Sequence, residues 1–420
     1  MLQRREFLKM FSAAGLGGTL LPGVLWVQSQ SKTTITKDMI DNAAKIAGVV
    51  IADEYKEMML KSLNDHAESF DEIVQLHMPN SVEPSLVFLP ETSGVPFETQ
   101  KTPMRISAAP AIAVSKKPEG LVFATIRELS ELIRTRKISC SSLIELYLGR
   151  LKRYDQKLKF VVTLTEERAL AQAKEADREI AAGNYRGPLH GLPWGAKDLL
   201  AVKGYPTTWG AGGFEKQVID EDATVVKRLD ESGAVLVAKL TLGALANGDR
   251  WFGGITRNPW NPQQGSSGSS AGPASATAAG CVAFSIGSET LGSISSPSTR
   301  CGCTGLRPTF GFVPRTGAMA LSWSMDKLGP ICRSVEDCAF VLDAIYGPDG
   351  KDRTVDRDAK FNWNAELDWR RLRVGYLKKD FEPSPEPQQA EAEEKPAITP
   401  EEQKKREEAN KRREARRARQ

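Results

Sequence analysis

Apolar positions recur along this chain in two rhythms. Ile40, Ala43, Ala44 and Ala47 follow the i, i+3, i+4, i+7 spacing of an amphipathic helix, and Thr36 stands where an N-cap hydroxyl belongs. Tyr55, Met59 and Leu63 continue the rhythm in a second helix, so residues 36–76 read as a helical arm. Residues 78–118 are rich in Pro, Ser and Thr and read as an extended connector. From near Leu121 the pattern changes. Residues 126–136, 140–154 and 165–182 read as amphipathic helices, the last stopped by Gly183. Short apolar runs at 234–238, 282–286 and 372–377 have the length of buried strands. Helices alternating with such strands predict an α/β fold, a sheet covered by helices on both faces.

Both ends of the chain depart from this rhythm. Residues 4–9 read Arg-Arg-Glu-Phe-Leu-Lys, and a largely apolar, Gly- and Ala-rich stretch follows to about Val27. A basic segment ahead of a short apolar one is a secretory signal pattern. The Arg pair followed by Phe and Leu resembles the twin-arginine export signal. Residues 1–27 therefore read as a signal segment, and the protein is expected to be exported: periplasmic, or membrane-attached through an uncleaved signal. Membrane contact is expected through that segment alone. At the other end, residues 381–420 turn to Pro, Glu, Gln and Ala and then to crowded Lys and Arg. Such a composition cannot bury a core and reads as a charged low-complexity tail. The intervening organisation is an arm and connector over 28–118 and a main domain over 119–380.

Composition narrows the chemistry. The net charge of the 420 residues is only +4, so no nucleic-acid partner is expected. Only three histidines occur, His66, His77 and His190, so a Ser-His-Asp hydrolase or a His-rich metal site would have to draw on these. His190 reads as a structural loop residue. Cys301 and Cys303 lack the C-x-x-C spacing of zinc knuckles and redox motifs, and the six cysteines read as buried thiols, with a disulfide left open by the export signal.

Two small-residue segments carry the candidate chemistry. Residues 265–280, Gly-Ser-Ser-Gly-Ser-Ser-Ala-Gly-Pro-Ala-Ser-Ala-Thr-Ala-Ala-Gly, would pass for a flexible linker by composition. They run straight into an Ala-rich stretch and a strand, which suits close-packed backbone instead. The second segment, Gly287-Ser-Glu-Thr-Leu-Gly-Ser-Ile294, sits at a strand end, where sites in open α/β sheets lie. Its successive N–H groups suit an oxyanion hole. Upstream, Gly187-Pro-Leu-His-Gly-Leu-Pro-Trp-Gly-Ala-Lys-Asp198 places Lys197 among small and apolar residues, where desolvation would lower its pKa and let a neutral amine act as base.

Together these segments resemble the amidase signature family. The Lys-containing segment is similar to the family's Gly-(Ile/Leu)-Pro-x-x-x-Lys-Asp element. Asn258-Pro259 through Ser293 is similar to the signature itself, and Gly305-Leu-Arg-Pro-Thr309 and Leu328-Gly-Pro-Ile331 to later elements. The resemblance covers about residues 120–380. It implies the family's mixed β-sheet core and amide hydrolysis through a Ser-Ser-Lys triad without cofactor or metal. It implies Ser293 as nucleophile, Ser269 in a cis peptide as proton bridge and Lys197 as neutral base. Ser270 would support Lys197, and the backbone N–H groups of Thr290, Leu291, Gly292 and Ser293 would form the oxyanion hole. The substrate would be a small-molecule amide, and a homodimer is left open.

The chain also departs from the family. Glu289 stands where the family often has Asp, and Ser295 where it often has Arg, which bears on how the nucleophile loop is held. Ala271 replaces a Gly and Pro273 a small residue. Family members continue well past the strand expected at 372–377, so the domain reads as shortened at its C-terminus. Two further readings follow: a catalytically impaired, amidase-like binding protein, or an A-type amidotransferase subunit. The export signal argues against the second, whose work is cytosolic.

Overall fold

A computed structural model describes residues 34–76, 98–108, 118–322, 324–355, 358 and 360–381. The basic-apolar segment 1–27, most of the connector and all but the first residue of the charged tail lie outside them. Contacts divide the described chain into two compact units, residues 34–102 with 118–362, and residues 103–108 with 363–381.

The arm forms as the spacing predicts. Helix α1 (Lys37–Ala47) begins at Thr36, whose hydroxyl accepts the Met39 N–H, and ends at Gly48 in the left-handed region. Helix α2 (Asp53–Gln75) follows. Helix α3 (Ile126–Arg134) carries a full capping box, with Thr125 and Glu128 bonding reciprocally. Helix α4 (Cys140–Leu158) is capped by Ser139, and buries Leu143, Ile144, Tyr147 and Leu151 along one stripe.

The sheet and its cover then alternate: β1 (Val161–Leu164), α5 (Glu166–Ala181), β2 (Pro193–Lys197), α6 (Thr224–Glu231) and β3 (Val235–Leu240). A two-strand ribbon of β4 (Arg250–Trp251) and β5 (Gly254–Ile255) precedes α7 (Ala271–Ala278). Next come β6 (Phe284–Glu289), α8 (Ser295–Cys301), β7 (Thr304–Gly305), β8 (Lys327–Cys332) and α9 (Val335–Ile345). Among the described residues six strands form one mixed sheet in the order β1-β3-β2-β6-β8-β7, with β2 parallel to both β3 and β6 and the outer pairs antiparallel. Every residue of β2, β3 and β6 is buried, which requires cover on both faces. The expected α/β architecture is therefore what forms. Among the described residues no helix is long and apolar enough to cross a membrane.

One expected element is absent. Residues 372–377 form no strand, and Leu372, Val374, Tyr376 and Leu377 are half to four-fifths exposed. A short apolar run becomes a strand only where a neighbour takes its backbone bonds. Among its described residues the small unit holding this run contributes one isolated bridge, Arg105 to Asn364, and no ladder.

Packing places the two small-residue segments side by side. Helix α7 lies against β2, β3, β6 and β8, and α8 lies against α7. Ala274, Ile294, Cys301 and Ile331 form one buried cluster joining α7, α8 and β8. Such contacts fix the loops that lead into each helix, the 265–270 loop and the 290–294 loop.

Candidate active site

Lys197 is the last residue of β2, and its side chain is wholly buried. One register step beyond the Ala196–Ile286 pairing, β6 carries Gly287. A side chain there would meet Ser270 Oγ at 2.7 Å, so glycine lets Ser270 approach the strand. Ser269 and Ser270 lead into α7, and the Gly268–Ser269 peptide is cis. Gly268 itself must be a glycine, because a Cβ there would fall 1.8 Å from the Gly248 carbonyl oxygen.

The Lys197 Nζ lies among serine oxygens. It is 2.8 Å from Ser269 Oγ, 3.0 Å from Ser270 Oγ, 2.9 Å from Ser288 Oγ and 3.3 Å from the Ser288 carbonyl oxygen. Among the described residues no carboxylate touches it, and burial dominates its titration. The pKa falls from 10.5 to about 7, although the more distant Asp326 and Glu289 charges oppose the fall. The structure thus brings together Lys197, Ser269 and Ser270.

Ser293 is half-buried at the turn entering α8. Its carbonyl oxygen accepts the Ser270 N–H at 3.0 Å, which ties the two loops together. No hydrogen bond joins the Ser293 and Ser269 hydroxyls in this arrangement. Thr290, Leu291 and Gly292 fill the turn between β6 and Ser293. Thr290 donates its hydroxyl hydrogen to Asp326, and its carbonyl oxygen accepts from Lys327 Nζ at 3.0 Å. Asp326 also accepts the Leu321 N–H at 2.7 Å and the Ser322 N–H at 3.0 Å. Leu291 is four-fifths exposed.

Glu289 takes the role that its position at the end of β6 allows. Its buried carboxylate accepts the N–H groups of Ile294 at 2.8 Å and Ser295 at 2.9 Å, and the Ser295 hydroxyl at 3.0 Å. Arg307 closes it from outside at 3.2 Å. Burial pushes this carboxyl up, but the Ser295, Ile294 and Gly292 N–H groups and the Ser295 hydroxyl outweigh burial and hold it at about 2. The two departures noted in the sequence, Glu289 and Ser295, are therefore hydrogen-bond partners through both the N–H and the hydroxyl of Ser295.

Sequence reasoning misses four supporting residues. Ser288 touches Lys197 twice, yet its sequence context marks it only as part of a small-residue loop. Asp326 anchors Thr290, and no local pattern marks it. Asp198 and Lys239 form a wholly buried ion pair at 2.6 Å just behind Lys197. Lys239 also reaches the Pro206 carbonyl oxygen at 2.9 Å and Thr207 Oγ1 at 3.0 Å, while Asp198 accepts the Thr208 N–H at 2.9 Å. Asp198 ends the quoted Lys-containing segment, and a charge inside the apolar run of β3 is the available signal for Lys239. His190 lies in the loop ahead of β2, at the opposite end of that strand from Lys197. It is buried, with Nε2 3.1 Å from Glu179 and Nδ1 accepting the Arg186 N–H.

A cavity of about 500 Å³ adjoins the cluster through Ser288, with Met319, Asp326, Leu328 and Arg353 among its other walls.

Comparison with known proteins points to one family. Residues 142–408, more than half of the chain, match the amidase family model. The A-type subunit of glutamyl-tRNA(Gln) amidotransferase from Geobacillus kaustophilus is 41% identical over 233 residues, covering 55% of this chain and 48% of the relative. The protein of the same name from Bacillus velezensis is 43% identical over 232 residues, covering 54% and 48%. The chain thus spans about half the length of the curated relatives it matches. Among solved structures, the native peptide amidase of Stenotrophomonas maltophilia superposes with a TM-score of 0.53 at 36% identity, covering 56% of this chain and 50% of that one. An amidase family protein of Bacillus anthracis gives 0.54 at 32% identity, covering 56% and 49%.

Proposed function

This chain belongs to the amidase family, and on that premise we propose that it hydrolyses a carboxylic amide through Ser293, Ser269 and Lys197. The observation that carries the reading is the Lys197 amine, wholly buried, free of carboxylate contact among the described residues and 2.8 Å from the Ser269 hydroxyl. A lysine so placed is neutral for much of the time near pH 7 and can accept a proton.

In the proposed reaction, Ser293 Oγ attacks the amide carbonyl carbon as its proton passes to Ser269 Oγ. The Ser269 proton moves on to Lys197 Nζ, which becomes an ammonium. This needs the Ser293 side chain to turn toward Ser269, whose loop is tied to that of Ser293 by the Ser270 N–H to Ser293 carbonyl bond. The oxyanion would be held by backbone N–H groups of the 290–293 turn. Among the described residues the N–H groups of Leu291 and Ser293 donate to no group of the chain, whereas Gly292 faces Glu289. Collapse breaks the C–N bond, and the proton returns from Lys197 through Ser269 to the leaving amine. Water then hydrolyses the ester by the same relay.

A second reading is an A-type amidotransferase subunit, favoured by the names of the curated relatives at 41–43% identity. Such a protein would release ammonia usefully only with a partner present. The Arg-Arg segment at residues 4–5 supports the hydrolase reading, since export would separate the chain from that partner.

The test is a serine-directed fluorophosphonate probe with an amide-library assay on the full chain, beside Ser293→Ala. Labelling and turnover in the wild type, both lost in Ser293→Ala, support the hydrolase. A wild type that neither labels nor turns over any amide sinks it. Turnover that appears only with added amidotransferase partners favours the second reading.

A further inference from the structure

The Lys197 amine has more hydrogen-bond neighbours than a neutral amine can serve alike, and the surplus sets its orientation. A serine hydroxyl has one hydrogen and two lone pairs; a neutral amine has two hydrogens and one lone pair. Ser270 Oγ gives its hydrogen to the Ser288 carbonyl oxygen at 3.1 Å and accepts the Ser288 N–H at 3.1 Å. Toward Lys197 it has one lone pair left and can only accept. One Lys197 N–H is therefore committed to Ser270. The other N–H and the lone pair are shared between Ser269 Oγ at 2.8 Å and Ser288 Oγ at 2.9 Å.

Which of the two receives the hydrogen decides whether Lys197 can act. With the N–H on Ser288, the lone pair faces Ser269 and can take its proton. With the N–H on Ser269, the Ser269 hydrogen points away and the relay runs the wrong way. We propose that Ser288 is a positioning residue that holds the second Lys197 N–H and thereby aims the amine lone pair at Ser269.

The inference rests on the reading of Lys197 as base. The same geometry serves the protonated state. An ammonium has three hydrogens, and Ser269, Ser270 and Ser288 offer three hydroxyl acceptors at 2.8–3.0 Å. The Ser288 carbonyl oxygen is the weaker acceptor of the two, because it lies farther off at 3.3 Å and also takes the Ser270 hydrogen. Ser288 lies in β6 opposite Leu328 of β8, and its N–H and C=O both bond to Ser270, so the hydroxyl is delivered from a fixed strand. Ser288 also lines the 500 Å³ cavity.

The experiment compares the full-length wild type, Ser288→Ala and Ser288→Thr by two readouts. One is the rate of Ser293 phosphonylation by a fluorophosphonate as a function of pH. The other is the titration midpoint of Lys197, followed by NMR of ¹³C-lysine-labelled protein with the signal assigned by Lys197→Met. We expect Ser288→Ala to slow phosphonylation at the high-pH plateau by about tenfold to a hundredfold, the range that misplacement of a reacting group commands. We expect its Lys197 midpoint to fall, since the ammonium loses an acceptor. Ser288→Thr, which keeps the hydroxyl, should restore both. An unchanged rate and midpoint in Ser288→Ala would overturn the proposal, as would a Ser288→Thr variant that folds and yet behaves like Ser288→Ala. A wild type that the probe does not label would sink the hydrolase reading alone, because the NMR midpoint still reports whether Ser288 holds the amine.

Discussion

Lys197 Nζ and Ser269 Oγ lie 2.8 Å apart, and both side chains are sealed from solvent. Burial lowers the lysine to about 7, so the amine loses its proton as pH rises through that value. Phosphonylation of Ser293, and amide turnover with it, should therefore rise with pH, reach half its maximum near pH 7 and then level off. Lys197→Arg keeps the charge at every pH and supplies no base. It should reduce the plateau by about 10²–10⁴-fold, the usual share of general-base catalysis. A flat pH profile in the wild type would remove Lys197 as the titrating base.

The buried Asp198–Lys239 pair predicts a stability effect with a catalytic echo. Lys239 is held down by burial, with the Asp198 charge opposing. Removing one member of a buried pair strands the other charge, at a cost of about 3–5 kcal/mol. Lys239→Met should lower the unfolding free energy by that order in urea titrations. Adding Asp198→Asn should recover part of the loss, because the stranded charge is gone. Since Asp198 follows Lys197 in the chain, the single variant should also slow phosphonylation. Equal stability of wild type and Lys239→Met would show that the pair contributes nothing net.

Legibility in the sequence follows the range of the force involved. Thr36 caps its helix through a contact three residues long, and this can be read directly. Lys197, Ser269 and Ser293 are legible as separated motifs, and the first two lie in hydrogen-bond contact in the fold. Strands β2 and β8 are not legible. Pro193-Trp-Gly-Ala-Lys197 and Lys327-Leu-Gly-Pro-Ile-Cys332 carry poor strand formers and become strands through burial between neighbours. Helix α7 hides for a similar reason. Its small residues give no amphipathic stripe, but they allow close approach; a Cβ at Gly272 would meet the Thr241 nitrogen at 2.4 Å. The opposite error occurs at 372–377, where apolar composition finds no partner strand. Ser288 is invisible because its contact with Lys197 depends on where β6 ends beside β2.

The six cysteines are all free, and all but Cys303 are buried below a tenth exposure. Burial pushes the thiols of Cys281, Cys301 and Cys303 up to about 12, far from the thiolate form that reacts. Native protein should therefore react slowly with a disulfide reagent such as Ellman's. Unfolding in guanidinium without reductant should release six equivalents at once. Four equivalents after unfolding would reveal a disulfide.

Glu289 ties acid stability to the nucleophile turn. Its folded pKa of about 2 lies below its ordinary value of 4.5, because the N–H groups entering α8 prefer the anion. A carboxyl lowered in the folded state stabilises the fold above its unfolded pKa and loses that contribution as pH falls through the folded one. The wild type should thus lose stability between about pH 4.5 and 2, the window those two values define. Glu289→Gln presents a neutral amide to the same N–H groups at every pH. It should be less stable than the wild type at pH 7, by about 1–3 kcal/mol for a buried charged hydrogen-bond partner. The gap should close on acidification, because the wild type alone titrates. Phosphonylation should fall at neutral pH as well, since Ile294 and Ser295, whose N–H groups Glu289 holds, directly follow Ser293. Urea unfolding of both proteins at pH 7, 4 and 2.5 checks the prediction. A gap that stays constant over that range would mean that Glu289 acts through packing, with its charge contributing nothing.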